Sequence, residues 1–423
     1  MMNAGISPTT PQNLLVIEPM GASGEVLLRS VRRSGHRAIV ATTPEVHRDS
    51  LAPVKEYMDE VVYVDFSDAE LAVGTLVDAD ERYHFAGIVV SWEFLTDIAA
   101  AVADALRLRG PAPHLARARR DKHAMADVWS AAGAPVPRLI AALRPEEESG
   151  DAASDWPYPV VVKPAENSAS FGVTVVKDPT GVPDAISRAS AWTHEFPHGI
   201  PFDRTVLVQE YLPGQEFSVE AISDRGRFFP WGVTMKFTTD GDSRAETGHI
   251  FPAPIPADLQ AAILEVARAG TEALGVTEGI SHTEIKLDAD GKPRLIESGP
   301  RPAGDFIPEL VALATGQSPT DVYVRQAVSG LPDDFEPALP HRAAGINFFR
   351  TPGRGTFEGL EVPSELSSAE LERSKVSVRP GEVVAPGSTN MDRVGWAIVT
   401  APTGEAVHAA LDELQRGTTV RLS

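Results

Sequence analysis

His282-Thr-Glu284-Ile-Lys286-Leu-Asp-Ala-Asp290-Gly291-Lys-Pro-Arg-Leu-Ile-Glu297-Ser-Gly-Pro-Arg301 is the stretch on which the fold turns. Asp290-Gly291 is a strong hairpin signal, because a two-residue type I′ turn needs positive φ at both central positions. Closing the loop at Ala289 and Lys292 sets Glu284 opposite Glu297 and Ile285 opposite Ile296. Directly opposed side chains in an antiparallel pair stand about 4.5 to 5.5 Å apart at Cβ, and like charges there repel. A cation between the two carboxylates resolves the conflict. Hard oxygen donors suit Mg2+ on a nucleotide better than Zn2+. His282 and Lys286 share the face of Glu284, and Arg301 follows closely. The competing reading is a solvated hairpin face with balanced charges. Pro293, placed opposite Asp288 by this register, requires an outer edge without a strand partner.

Upstream, Pro159-Val-Val-Val-Lys163-Pro-Ala-Glu-Asn-Ser168-Ala-Ser170-Phe-Gly172-Val-Thr-Val-Val reads as strand, small polar loop and strand. It is not a Walker loop, since the GxxxxGK[ST] spacing and the following helix are missing. Such a loop can still fold N–H groups and hydroxyls over phosphate oxygens, with Lys163 as a fixed charge. As an ordinary hairpin loop it would need neither the lysine nor the serines. Between the two segments, Gln209-Glu210-Tyr211-Leu212-Pro213-Gly214-Gln-Glu216 joins two strands around a Pro-Gly turn. Glu216, Ser218 and Glu220 fall on one face, a plausible cleft wall with a carboxylate able to accept from ribose hydroxyls. The alternative is an edge strand with its polar side in water.

Working outward, residues 14–17, 38–41, 61–64 and 87–91 are strand-like and alternate with helical stretches, as in a parallel sheet wrapped by helices. Gly21 and Gly24 do not complete a dinucleotide fingerprint and are expected to permit a tight turn before a helix at 25–34. A helix is expected over 121–134, a solvated acidic connection over 144–155, and a long helix over 258–274. After residue 330 short strands and Gly/Pro turns lead to a helix near 405–415. The domains expected are an open α/β domain at 1–112, a core at 113–330 containing a small mobile subdomain at 157–208, and an α+β module at 331–423.

The 423 residues accommodate about three domains. With 38 basic against 59 acidic residues the net charge is −21, which argues against nucleic acid or an anionic membrane as main partner. There is no cysteine, so disulfides, thiolate metal sites and Cys nucleophiles are excluded. No apolar run approaches the roughly 18 residues of a membrane span. Residues 1–12 lack a signal-peptide pattern and are expected to fray, with the cytoplasm as the expected location.

In their joint order these segments resemble the ATP-grasp superfamily, in particular its carboxylate-amine ligases and, within those, the L-amino-acid ligases that make dipeptides. The resemblance runs from about 121 to 316. It rests on Asp121-Lys122, Val-Val-Lys163-Pro with its Ser/Gly loop, Gln209 to Leu212 with Glu216, and the paired Glu284 and Glu297 before Arg301. It implies an α/β and α+β multidomain ATP-grasp fold with an N-terminal open parallel α/β domain and a small C-terminal β-rich lid module. ATP and Mg2+, or Mn2+ in its place, are the implied cofactors. Lys122 and Lys163 would contact the nucleotide, Lys163 also acting in catalysis, and the loop carrying Ser168, Ser170 and Gly172 would cover the phosphates. Gln209, Glu210, Tyr211 and Leu212 would hold adenine by their backbone, Glu216 the ribose, and Lys236 the phosphates. Glu284 and Glu297 would hold the metal, and Arg301 the transferred phosphoryl group and acyl intermediate. Gly304, Asp305 and His249 would lie on the substrate side, His249 among the catalytic candidates.

The implied reaction is amide or peptide bond formation through an acyl phosphate, with release of ADP and phosphate. Its partners are a small carboxylate and a small amine, probed by a protein expected to be a homodimer. The departure is Gly299, where many members have Asn; it removes one side-chain ligand and puts a second metal ion in question. A carboxylase or purine-pathway enzyme using bicarbonate or formate, and a non-catalytic ATP-binding protein, are the competing readings. Specificity is expected from the N-terminal domain, the cleft beside Arg301 and residues 345–354.

Overall fold

The computed structural model describes residues 10–144, 150–240, 244–387 and 389–423. Most of the expected frayed tail and the acidic centre of the 144–155 connection lie outside the described residues. Near the N-terminus four parallel strands lie in the order Glu60–Tyr63, Arg37–Thr42, Asn13–Ile17, Phe85–Val90. Leu14, Leu15, Val16 and Ile17 are all fully buried, because helices cover both faces of a parallel sheet. The first helix, Gly21–Arg33, starts earlier than the apolar spacing suggests. Gly24 therefore sits inside the helix and not in a turn: a Cβ there would lie 2.0 Å from the carbonyl carbon of Pro19.

The central sheet has eight antiparallel strands, in the order Pro293–Gly299, Gly279–Leu287, Glu216–Asp224, Arg227–Thr238, Glu246–Phe251, Ala343–Arg350, Arg393–Ala401, Glu370–Val376. It runs without a break from the core into the residues beyond 330. Phe217, Val219, Ile285 and Leu295 pack on one face against Ile263 and Ala267 of the helix Ala257–Ala273. On the other face Ser218 and Glu220 are buried, and Glu216 lines a cavity. The strand Glu216–Asp224 is third from the edge, so its polar face is a cleft wall and not a wet surface. A separate four-stranded sheet, Leu139–Leu143, Val206–Glu210, Val160–Pro164, Thr174–Val176, carries the Ser/Gly loop.

The decisive hairpin shows how its glutamates come to face each other. Asp288 N donates to Lys292 O at 2.9 Å, so the loop is the three residues 289–291, with Gly291 at φ +75°, and not the two-residue turn. That slips the register by one, pairing Ile285 with Leu295 and Leu287 with Pro293. A bulge between Glu284 and Ile285 in the pairing then restores the offset, and Glu284 does lie opposite Glu297. Ile296, the extra residue, turns to the cavity, while Leu295 takes the core position expected for it. Pro293 is tolerated because its strand is the sheet's edge.

The segment between the helix Val182–Ala189 and the strand Val206–Glu210 returns over the N-terminal domain, where Ile200 joins that domain's core. There His198 is clamped between two buried carboxylates, with Nε2 2.8 Å from Glu18 Oε2 and Nδ1 3.0 Å from Glu195 Oε2. Thr42 Oγ1 donates to Glu18 and Trp92 Nε1 to Glu195, and the rings of Phe66 and Trp92 stand edge-on to the imidazole. Burial opposes the charge, but the two carboxylates outweigh it and raise the His198 pKa to about 9. A raised folded-state pKa stabilises fully below the ordinary value near 6.5 and is lost as pH climbs through about 9. Thermal stability is expected to fall between about pH 7 and pH 10 by an amount equivalent to roughly 3 kcal/mol at most. In His198→Gln that slope should flatten; an equally steep decline in the variant would remove the clamp as its cause.

Candidate active site

One cavity of about 560 Å³ collects residues from all three parts of the chain. The N-terminal domain contributes Gly21 to Ser23 and Glu93; the small sheet, Lys163 and the Ser/Gly loop; the large sheet, Glu216, Lys236, Glu284 and Glu297; and the C-terminal module, Asn390 and Met391. Of the residues expected from the sequence, Lys122, Lys163, Ser168, Ser170, Gln209, Glu210, Tyr211, Leu212, Glu216, Lys236, Glu284, Glu297, Arg301, Gly304 and Asp305 all line it. Gly172 shapes the loop from behind, at φ +75°, where a Cβ would come 2.9 Å from Ala189 Cα. His249 is fully buried behind Asp305, its Nε2 3.5 Å from Asp305 Oδ2, and is not part of the lining.

Asp121 places the first lysine. Its side chain accepts from His123 N and Ala124 N, capping the helix Lys122–Ala131 and setting Lys122 at the first helical position. Lys122 Nζ then donates to Asn167 O at 2.6 Å and pairs with Glu297 Oε1 at 2.9 Å. Lys163, at the end of Val160–Pro164, is buried and has no ion-pair partner among the described residues. Burial, reinforced by the nearby charge of Lys122, lowers its pKa to about 8. A buried ammonium with no partner awaits an anion. In the loop beside it, Ala169, Ser170 and Gly172 all have positive φ, and Ser170 Oγ donates to Arg244 O at 3.0 Å, drawing the loop across the cavity. Phe171 rests against Trp192, ring centroids 5.5 Å apart.

The facing carboxylates are in different electrostatic states. Burial raises the pKa of Glu297 to about 7, helped by the charges of Glu93 and Glu284 and opposed by Lys122. For Glu284 burial acts the same way, but Lys236 and His282 outweigh it and hold the carboxyl well below its usual range. Both open onto the cavity as oxygen donors, and each is met by a lysine where a metal cation would otherwise balance the charge. The donor set therefore fits a hard divalent cation. Gly299 adds no side-chain ligand to it. Lys236, expected at the phosphates, is held among three carboxylates, Nζ lying 2.5 Å from Glu284, 2.6 Å from Glu246 and 3.6 Å from Glu216. His282 continues the network to Glu220, with Nδ1 2.9 Å from Oε1.

At the far end Arg301 Nε and Nη2 donate to Glu93 Oε2 at 3.1 and 2.6 Å. Glu93 was not singled out from the sequence. The available signal was its place just past the strand Phe85–Val90, at the carboxyl end of a parallel sheet where ligands bind. Burial opposes the charge of Glu93, but Arg301 and Lys122 prevail and bring its pKa to about 2. Glu246, Asn390, Met391 and Arg393 were missed as well. Residues 345–354, expected to carry specificity, do not line the cavity; most of them belong to the buried strand Ala343–Arg350.

Residues 156–309 match the ATP-grasp domain family, and residues 347–423 match the L-amino acid ligase C-terminal domain 2 family. The alanine–anticapsin ligase of Bacillus subtilis strain 168 is 27% identical over 351 residues, 76% of this chain and 72% of that protein. A D-alanine–D-alanine ligase of Geobacter sulfurreducens is 28% identical over 193 residues, 44% of this chain and 58% of that protein. The crystal structure of an L-amino acid ligase from Bacillus licheniformis has the same fold, with a TM-score of 0.83 at 22% identity, covering 97% of this chain and 99% of that one. The chain thus carries an ATP-grasp domain followed by an L-amino acid ligase C-terminal domain, and both contribute to a cavity lined by Lys163, Glu284, Glu297, Arg301 and Met391.

Proposed function

We propose that the protein activates a carboxylate with ATP as an acyl phosphate and passes the acyl group to an amine, releasing ADP and phosphate, with two amino acids or close analogues as substrates. The observation that supports this most directly is the continuity of the cavity from Lys163 and the Ser/Gly loop, past Glu284 and Glu297, to Arg301. A carboxylate oxygen attacks the γ-phosphorus as the bond to the bridging oxygen of ADP breaks. The amine nitrogen then attacks the acyl carbon, the C–O bond to phosphate breaks, and the proton shed by nitrogen leaves with the phosphate. The reaction demands neutralised charge and exclusion of water more than a nucleophilic side chain.

Glu284 and Glu297 would hold a divalent cation, Mg2+ or Mn2+, which when bound neutralises phosphate oxygens. Lys122 and Lys163 bring ammonium groups to the same charge, the backbone of 209–212 and Glu216 position the nucleoside, and the loop with Ser168 and Ser170 shuts out water. Arg301, fixed by Glu93, stands where the carboxylate must approach. A bicarbonate- or formate-using ligase shares the nucleotide end; the C-terminal domain match and the named amino-acid ligases among the relatives favour amino acids. The same reading includes work in the cytoplasm as a homodimer. No helix among the described residues is long and apolar enough to cross a membrane, and light scattering decides the oligomeric state.

Incubating the purified protein with ATP, Mg2+ and a matrix of amino-acid pairs is expected to release ADP and phosphate in equal amounts only with particular pairs, with the amide product visible by mass spectrometry. Production of AMP would overturn the acyl-phosphate route.

A further inference from the structure

The cavity wall at Glu246 and Asp305 is built in part by a turn of the C-terminal module. Residues 389–393 form a closed unit: Thr389 Oγ1 donates to Asp392 Oδ2 at 2.9 Å, Thr389 N to the same oxygen at 2.8 Å, and the 3-10 turn Asn390–Asp392 leads straight into the strand Arg393–Ala401. From this unit two side chains reach the cavity's carboxylates. Asn390 Oδ1 accepts from Glu246 N at 2.8 Å while its Nδ2 donates to Glu246 Oε2 at 3.0 Å. Arg393 grips Asp305 with two parallel bonds of 2.7 Å, donates to Glu246 O, and lays its guanidinium 3.6 Å from the ring centre of Phe348. A planar fork held at its edge by these bonds and on one face by the ring holds its carboxylate in one orientation.

Between these two anchors Met391 has no such tie. It is 76% exposed and yet lines the cavity. The cavity lining includes further apolar side chains, Met20, Phe94, Pro302, Phe306 and Ile307, and Phe306 directly follows Asp305, which Arg393 holds. On the amino-acid reading a charged head group would meet Arg301 and the carboxylates, and an apolar side chain would meet these residues. An exposed, unbranched thioether at the rim can move aside or fold over, which makes it a gauge of side-chain size.

We propose that the 389–393 turn is the specificity-determining wall of the substrate end: Met391 sets the size of the apolar side chain admitted on an amino-acid substrate, and Asn390 and Arg393 are positioning residues that hold Glu246 and Asp305 beneath it. This rests on the amino-acid ligase reading and goes beyond it by naming the side-chain class and the element that selects it.

The test uses the full chain and has two readouts. Binding of alanine, valine, leucine, phenylalanine, aspartate and lysine is measured by calorimetry with Mg2+ and a non-hydrolysable ATP analogue, and turnover is measured on the same panel. The wild type is expected to bind apolar side chains over charged ones. Met391→Ala should shift the preference between phenylalanine and alanine toward the larger by at least about fivefold, and Met391→Trp should shift it the opposite way. Arg393→Met should raise the amino-acid KM at least about tenfold with the ATP KM within about twofold, and Arg393→Lys should recover part of that loss. Selectivity unchanged in both Met391 variants, or no preference for apolar side chains in the wild type, would overturn the proposal. Amino-acid binding without turnover of any pair would instead overturn the ligase reading and leave the wall standing.

Discussion

Glu297→Gln is expected to lower ADP formation by about 10³-fold or more while the protein remains folded. The substitution keeps the shape of the side chain and removes one charge, so what it tests is the anion itself. Glu297 sits directly opposite Glu284 and pairs with Lys122 at 2.9 Å, with Glu93 close enough to add to the negative potential. A neutral amide halves the carboxylate donor set offered to a divalent cation, and Gly299 supplies no replacement. Two consequences for stability oppose each other: repulsion among Glu93, Glu284 and Glu297 is relieved, and Lys122 loses its ion-pair partner. The melting temperature should therefore move by only about 1 °C, the shift expected for about 1 kcal/mol in a chain of 423 residues. A coupled ADP assay and a thermal melt decide the matter, and near-normal ADP output from the folded variant would remove Glu297 from the metal site.

Arg301→Met should cost about 10³-fold in kcat and leave nucleotide affinity within about threefold. Arg301 is fixed by two bonds to Glu93 and one to Pro302 O, and on the proposed function its guanidinium would meet the substrate while Lys122 and Lys163 would meet the nucleotide. A lysine at position 301 carries the charge but not the fork, so Arg301→Lys should recover little of the loss. Removing the guanidinium also takes away the largest favourable influence on Glu93, whose pKa should then rise from about 2. The measurement is a steady-state comparison of kcat and the amino-acid KM with direct nucleotide titration. A variant that retained kcat, or that lost ATP binding instead, would move Arg301 out of the reacting end.

What the sequence by itself determined is what short-range rules encode. A strand of alternating polarity announced that Glu216, Ser218 and Glu220 share a face, and Asp290-Gly291 announced the hairpin. Even there the outcome depended on the fold. The facing of Glu284 and Glu297 was expected through a two-residue turn and is reached through a three-residue loop compensated by a bulge, a shift no local pattern prescribes. The resemblance carried the site further, because the order of Lys122, Lys163, Gln209 to Leu212, Glu284, Glu297 and Arg301 along the chain is itself information.

Only the tertiary structure decided which distant groups share the cavity with them. Glu93 meets Arg301 across 208 residues, Asn390 meets Glu246 across 144, and Arg393 meets Asp305 across 88. The triple carboxylate grip on Lys236 and the Glu18–His198–Glu195 clamp are of the same kind. Such pairs leave no period in the sequence: each partner looks like an ordinary polar residue at a strand end or turn. They are selected when sheet packing buries both and leaves each the other's best source of compensating charge.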